Sequence, residues 1–279
     1  CLSIMQKRVF DKMNLGKINW LTSPERHNTG GWGMYLTARQ ISALAQLLLQ
    51  KGNWNGEQLV PAEWVEEMGR QRVVIPGDEK KALTHYAYHI KAGKEIFAAE
   101  GAFGQYLICF RELPVAIGIT SGAREYLAAD ICLKYIKEAV AVPCPAEKRA
   151  EGQKYLEAKL NSLSLPQPEG RLRTSKKVTE KLFNREIVFT ENPRKIESAK
   201  ITKEGYRLKL ELVIDGEKKE IYAGYKNWKQ NDLYPEDFTK RYHCAAYAMD
   251  KEALYLSIGL INTSYREEYC LWVNSEDKV

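Results

Sequence analysis

The sequence has little that would bind a metal, span a membrane or staple a chain. It carries four histidines and six cysteines in 279 residues. The cysteines, Cys1, Cys109, Cys132, Cys144, Cys244 and Cys270, are widely spread and form no Cys-x-x-Cys pair. That spacing implies neither a zinc site nor a dense disulfide framework, and it leaves the redox compartment open. Cys109, Cys132 and Cys270 lie in apolar runs, where a thiol acts as a small buried hydrophobe. His85 and His89 are four apart, which on a helix would put two imidazoles on one face. "THYAYHIKAG" reads instead as a strand and no third ligand stands nearby, so no metal or other cofactor is expected. No apolar run reaches the roughly 18 residues that a membrane span needs. Charge of one sign is missing too: 42 Lys and Arg face 36 Asp and Glu, a formal net charge of +6. The signs alternate, as in "EKKALTHYAYHIKAGKE", which reads as a solvated face. With no compact basic patch, nucleic acid is not an expected partner.

A nucleophile with a positioned base is also missing. "GITSG" around Ser121 lacks the glycine spacing of a nucleophile elbow. Ser275 and Lys278 spell Ser-x-x-Lys, but that pair works at a helix start, where the lysine returns over the serine. "NSEDKV" is a polar terminus and reads as a chance match, as does Tyr225-Lys226-Asn227. The acidic pairs have no apolar walls that would raise a pKa and read as surface charge.

What is present divides into two textures, as suits a chain long enough for two cores. Over 1–142 helical and strand patterns mix. "CLSIMQKRVFDKM" repeats Leu2, Met5, Val9 and Met13 at helical spacing, so the chain is expected to begin inside a fold. "LTARQISALAQLLLQKG" has a capping box at Thr37 and Gln40, an apolar stripe of Ile41, Leu44, Leu47 and Leu48, and a stop at Gly52. "VPAEWVEEMGRQ" starts a helix at Pro61, with Trp64, Val65 and Met68 facing inward. "EIFAAEGAFGQYLICF" and "LPVAIGITSG" read as two strands joined near Arg111–Pro114. "REYLAADICLKYIKEAVA" reads as a helix with Leu127, Ile131, Leu133 and Ile136 on the core. Residues 143–169 have the proline-rich composition of a linker around a polar helix. Residues 170–279 alternate as seven or eight short antiparallel strands, with hairpin turns at Glu204-Gly205 and Asp215-Gly216. That pattern predicts a small meander barrel or sandwich.

Three blocks carry a larger pattern in fixed order. They are "FDKMNLGKINW", "NTGGWGMYLTARQISALAQLLLQKGNWNGEQLVPAEWVEEM" and "FAAEGAFGQYLICFRELPVAIGITSG". Together they resemble the C-terminal half of the serine hydrolases of the β-lactamase superfamily, in particular class C β-lactamase-like esterases and 6-aminohexanoate-dimer hydrolases. The resemblance covers about 1–142. It implies an α+β fold, a partial β-lactamase/transpeptidase-like domain of antiparallel sheet with helices, here followed by an all-β, lipocalin-like barrel. It also implies bacterial origin and export, with a periplasmic location.

In that family a Ser-x-x-Lys supplies nucleophile and base, a Tyr-x-Asn or Tyr-x-Ser loop supplies a second proton-transfer group, and an inner strand carries Lys-Thr-Gly or His-Thr-Gly. The first two elements would precede Cys1, so the chain alone is expected to be inactive as a hydrolase. The third maps onto Gly101, with Ala99 and Glu100 where relatives have the cation or histidine and the threonine. Ala99 has no charge to orient a substrate carboxylate, which speaks against a true β-lactamase or D-Ala-D-Ala carboxypeptidase. Gly104-Gln105 resembles the Gly–Gln pair of the aminohexanoate-hydrolase type. The resemblance therefore implies a cleft wall of Ala99, Glu100, Gly101, Phe103, Gly104 and Gln105. The backbone N–H near Ala102 is the candidate for the second oxyanion donor, since such donors are main-chain groups. Asn28, Thr29, Gly30, Gly31 and Trp32 resemble the loop bordering the cleft, with Trp32 either a pocket wall or a core residue. For Gly101 and Gly104 a β-bulge that only fits the sheet is the other reading. The expected partner is a small-molecule or peptide-like amide or ester. A missing N-terminal segment or a second copy would cover the exposed half-domain. The alternative function is a non-catalytic module whose barrel holds an apolar ligand, unless Ile187, Leu208, Leu210, Tyr255 and Leu271 close-pack its interior.

Overall fold

Residues 1–123, 127–235, 237 and 241–273 are described by a computed structural model of the chain. They divide into two units, Cys1–Cys144 and Pro145–Val279. Ser275 and Lys278 lie outside the described residues.

The first unit opens with α1 (Leu2–Met5), which runs into a π-helical turn at Gln6–Phe10. Two small ribbons follow, β1 (Asn19–Trp20) with β2 (Met34–Tyr35), and β3 (Asn53–Trp54) with β4 (Glu57–Gln58). Between them runs α2 (Ala38–Leu49), and after them α3 (Ala62–Met68). Six strands then form an antiparallel sheet in chain order: β5 (Val73–Val74), β6 (His85–Tyr86), β7 (Lys91–Ala92), β8 (Ile96–Gly101), β9 (Gln105–Phe110) and β10 (Ala116–Ile119). Helix α4 (Ala128–Ala141) ends the unit.

Strand periodicity sorts the core. Ile96, Ala98, Tyr106, Ile108 and Phe110 share one face of the sheet and pack with Ala129, Leu133 and Ile136 of α4. Phe97 and Cys109 face the other way and pack with Ala45 and Leu48 of α2. The result is a mixed α+β unit with the sheet between two helices. Helix α2 starts where the sequence says: the Thr37 hydroxyl accepts the Gln40 N–H at 3.3 Å, and the Gln40 side chain accepts the Thr37 N–H at 2.8 Å. The closest approach of helix to sheet is at Gly118 of β10. A Cβ there would lie 2.4 Å from the Ser42 backbone nitrogen and 2.7 Å from the Ala38 carbonyl oxygen.

Several sequence expectations shift. "EIFAAEGAFGQYLICF" is a hairpin and not one strand, because Phe103 (φ 61°) and Gly104 (φ 79°) reverse the chain between β8 and β9. On α3, Val65 is buried but Trp64 turns outward and stacks its ring 4.9 Å from that of Tyr88. On α4 the inward stripe is Ala129, Cys132, Leu133 and Ile136, which leaves Leu127 and Ile131 exposed. The six cysteines form no disulfide among the described residues, and Cys270 is exposed on the outward side of its strand, since neighbouring strand residues face opposite ways.

The second unit holds α5 (Ala146–Ser162), α6 (Lys176–Leu182) and eight strands: β11 (Glu186–Val188), β12 (Ile196–Glu204), β13 (Arg207–Ile214), β14 (Glu217–Tyr225), β15 (Lys229–Asp232), β16 (Tyr242–Met249), β17 (Ala253–Leu260) and β18 (Arg266–Trp272). Their order is β11-β12-β13-β14-β16-β17-β18, with β15 also paired to β16. All pairs are antiparallel except β14 with β16, which is parallel. Asn231 links β15 to β14 by side chain, donating to the Tyr222 carbonyl at 3.1 Å and accepting its N–H at 2.7 Å.

The sheet is a curled half-barrel and not the closed, lipocalin-like barrel its strand pattern suggests. Among the described residues β11 and β18 do not pair with each other. The reason is α6: Val178, Leu182 and Phe183 pack against Leu208, Leu210, Ile221, Tyr247 and Leu254 in one core. A helix is about 10 Å across, and eight closed strands leave room for side chains or one small ligand but not for a helix. Ile187 and Leu271 pack on the same core, while the Tyr255 hydroxyl donates to Asp250 at 2.8 Å. Of the five residues expected to fill the interior, Ile187, Leu208, Leu210 and Leu271 pack in this core and Tyr255 lies outside it.

At Gly118 a Cβ would meet the Ser42 nitrogen, the Ser42 Oγ and the Ala38 carbonyl oxygen, all within 2.7 Å, and two of the three are backbone. Gly118→Ala lowers stability by about 1–3 kcal/mol, read as a fall in urea midpoint at constant slope. An unchanged midpoint contradicts the close approach. In the second unit His243 is buried, and its ring Nδ1 has no hydrogen-bond partner. Burial holds its pKa below the usual 6.5, against opposing effects of the Arg241 backbone and Glu267. The unfolded chain therefore binds more protons below that value, so stability present above pH 6.5 is lost as pH falls toward the lowered pKa. His243→Phe flattens that part of the stability–pH curve, measured by urea unfolding at several pH values.

Candidate functional site

The residues expected to line a cleft gather at the β8–β9 turn, and the turn's chemistry follows from its backbone. Gly101 ends β8 and pairs with Gln105, which starts β9. The Gly104 N–H donates to the Gly101 carbonyl at 3.3 Å, so Ala102 and Phe103 are the central residues of a four-residue turn. Positive φ at its third position is the sign pattern of a type II turn, which favours Gly or Asn there. Phe103 takes that position, a conformation that costs about 1–3 kcal/mol and clusters at ligand-contacting sites. Gly104 needs its own positive φ, and a Cβ there would lie 3.2 Å from both side-chain atoms of Ser121.

Gln105 locks the turn. Its amide accepts from the Ser121 N–H at 3.3 Å and donates to the Ser121 carbonyl at 2.6 Å. The same Nε2 is 3.3 Å from the Ala102 carbonyl oxygen and 3.4 Å from that of Phe103. An amide has two hydrogens, so these three acceptors share them. The turn's carbonyls are thereby pulled inward, toward Gln105. The Ala102 N–H is left exposed, with no acceptor among the described residues.

Strand alternation separates the other two candidates on β8. Ala99 packs on the α2 face beside Leu107 and Ala116. Glu100 points to the opposite face, where one carboxylate oxygen takes the Lys91 ammonium and the other accepts the Tyr106 hydroxyl at 2.9 Å. Both oxygens are occupied by the protein, which gives Glu100 a place in the core network. Gly101 shares the Ala99 side, and a Cβ on it would meet the Gln105 Cβ at 3.2 Å.

The loop around Asn28 is tied both to itself and to the start of α1. Asn28 accepts the Leu2 N–H at 2.9 Å, and the Thr29 hydroxyl donates to the Trp32 carbonyl. Gly30 and Gly31 leave open space about them. Trp32 is 67% exposed, which excludes a core role for it. His85 accepts from the Thr84 hydroxyl at 2.8 Å, and His89 lies 3.4 Å from the Tyr86 hydroxyl. Among the described residues no group of three His, Cys, Asp or Glu side chains is placed to hold a metal. Tyr225 ends β14 in the second unit, where its hydroxyl donates to the Arg171 carbonyl at 3.1 Å. No described helix is long and apolar enough to cross a membrane.

Reading the sequence did not find the clamp between Gln105 and Ser121, sixteen residues apart. A single sequence carries no signal for it beyond a polar residue opening an apolar strand. Replacing Gln105 by Leu leaves the Ser121 amide groups unpaired and costs about 1–3 kcal/mol. Faster hydrogen exchange at Ser121 and Gly104 accompanies the loss, and unchanged exchange there contradicts the clamp.

No family model matches the chain, and no curated protein matches it. Among solved structures it is similar to the octameric penicillin-binding protein homologue from Pyrococcus abyssi. The two chains are 12% identical with a TM-score of 0.38, over 96% of this chain and 60% of that one.

Proposed function

We propose that the first unit is the inner-strand half of an acyl-transfer cleft in a serine hydrolase acting on an amide or ester. The observation that carries this reading is the Ala102 N–H, unpaired and exposed at the head of a turn that Gln105 holds rigid. Oxyanion donors work because they are aimed before the charge develops and need no reorganisation. The order of the three sequence blocks supports the same reading.

In this reading the nucleophile and base come from a Ser-x-x-Lys helix start outside these 279 residues. The serine oxygen attacks the substrate carbonyl carbon and gives its proton to the base. The carbonyl oxygen takes the negative charge and accepts the Ala102 N–H. The leaving group departs with the proton, and water then releases the acyl group by the same steps. The cleft wall is Ala99, Gly101 and Phe103, with Gly104 and Gln105 positioning the turn and Trp32 bordering it. The methyl of Ala99 favours a substrate without a carboxylate at that point. The reading also accounts for the outer side of α4, where Ile131 and Tyr135 are more than half exposed. Half of a layered domain leaves such a face for a further segment or a second copy to cover.

Ala102→Pro tests the donor cleanly. Proline is favoured at the second position of this turn, so the substitution removes the N–H and keeps the fold. The full open reading frame is assayed with a p-nitrophenyl ester and a fluorophosphonate probe. Expected are a labelled serine in a Ser-x-x-Lys upstream of Cys1, and a kcat about 10²–10³ lower in the variant at unchanged melting temperature. A reading frame that the probe does not label, or a variant with undiminished turnover, overturns the proposal. So does ester cleavage by the 279-residue chain alone.

A further inference from the structure

The first unit has an open groove of about 580 Å³ along α4, away from the β8–β9 turn. Five lysines line it: Lys80, Lys81 and Lys94 from the strand connections, and Lys134 and Lys137 one helical turn apart on α4. Three carboxylates share the lining, and each is occupied. Glu95 pairs with Lys137 at 2.7 Å, Asp130 accepts the Ala82 N–H at 2.7 Å, and Glu79 accepts the Gly77 N–H at 3.1 Å. Lys81 pairs with Asp78 at 2.6 Å. Lys80, Lys94 and Lys134 have no carboxylate within ion-pair distance among the described residues.

We propose that this groove binds a small ligand with two or more oxyanionic groups, phosphates or carboxylates. Five ammoniums against three carboxylates leave the concavity with a net positive charge, and a concave wall focuses that field on whatever enters. Each ammonium offers three donors, which suits oxygens of any geometry. The volume lies in the usual range for a small-molecule site, about 300–1,000 Å³. The interspersed carboxylates break the basic run, which disfavours a nucleic-acid backbone or a membrane surface.

The test is calorimetric titration of the 279-residue chain with tripolyphosphate and, separately, with citrate. Expected for at least one of them is a Kd below about 1 mM at low salt, weakening as salt rises to about 150 mM. Binding of tripolyphosphate alone assigns phosphate as the ligand group, and binding of citrate alone assigns carboxylate. The double variant Lys94→Gln, Lys134→Gln loses at least tenfold in affinity, while Lys17→Gln, an exposed lysine outside the groove, keeps it. Neither groove lysine is ion-paired, so the double variant melts with the wild type; Lys80→Gln alone gives a second measure of the loss. The proposal is overturned if neither anion binds or if the groove variants bind as Lys17→Gln does. Binding only of an oligonucleotide or of phosphatidylglycerol vesicles overturns it as well.

Discussion

The first unit depends on the distance between α2 and the sheet, and that distance is set at Gly118. With no side chain at this position, β10 lies against the backbone of Ala38 and Ser42. The contact seats Ala45 on the strands so closely that the buried Cys109 thiol reaches the Ala45 carbonyl at 3.2 Å. Burial pushes that thiol's pKa up to about 12, so it stays protonated and serves as packing. The α2 face then fixes the plane of β9, and β9 fixes the turn that precedes it.

The turn shows how a strained backbone is held. Phe103 sits in a conformation that a glycine would take without cost, and the Gln105 amide ties the surrounding carbonyls to Ser121. The outcome is a main-chain donor, the Ala102 N–H, left without an acceptor among the described residues. Rigid main-chain donors are what acyl transfer requires, and their effect does not depend on the side chains around them. In the proposed acyl-transfer reading, that independence lets a departure at Ala99 narrow the substrate without removing the chemistry.

The second unit obeys a different constraint. Its sheet curls, but α6 occupies the space that closure would take. The strands therefore stop at a half-barrel, and the interior is a packed core whose one unpaired polar atom among the buried side chains of β16 is the ring nitrogen of His243.

Local chemistry was legible in the sequence wherever its cause is local. The Thr37–Gln40 capping box, the alternation of the strands and the Asp215-Gly216 turn each follow from neighbouring residues. The sequence also picks out the stretch from Ala98 to Phe110 as unusual. Only the tertiary structure decided that this stretch is a hairpin, that Glu100 turns into the core and that Gln105 reaches Ser121. The same is true of the lysines: "EKKALTHYAYHIKAGKE" alternates in charge as text, yet folding brings Lys80 and Lys94 into one groove with Lys134, where lysines outnumber carboxylates five to three. These outcomes depend on contacts between residues far apart in the chain. Side-chain period and local spacing fix which face a residue takes; what waits on that face is fixed by the rest of the fold.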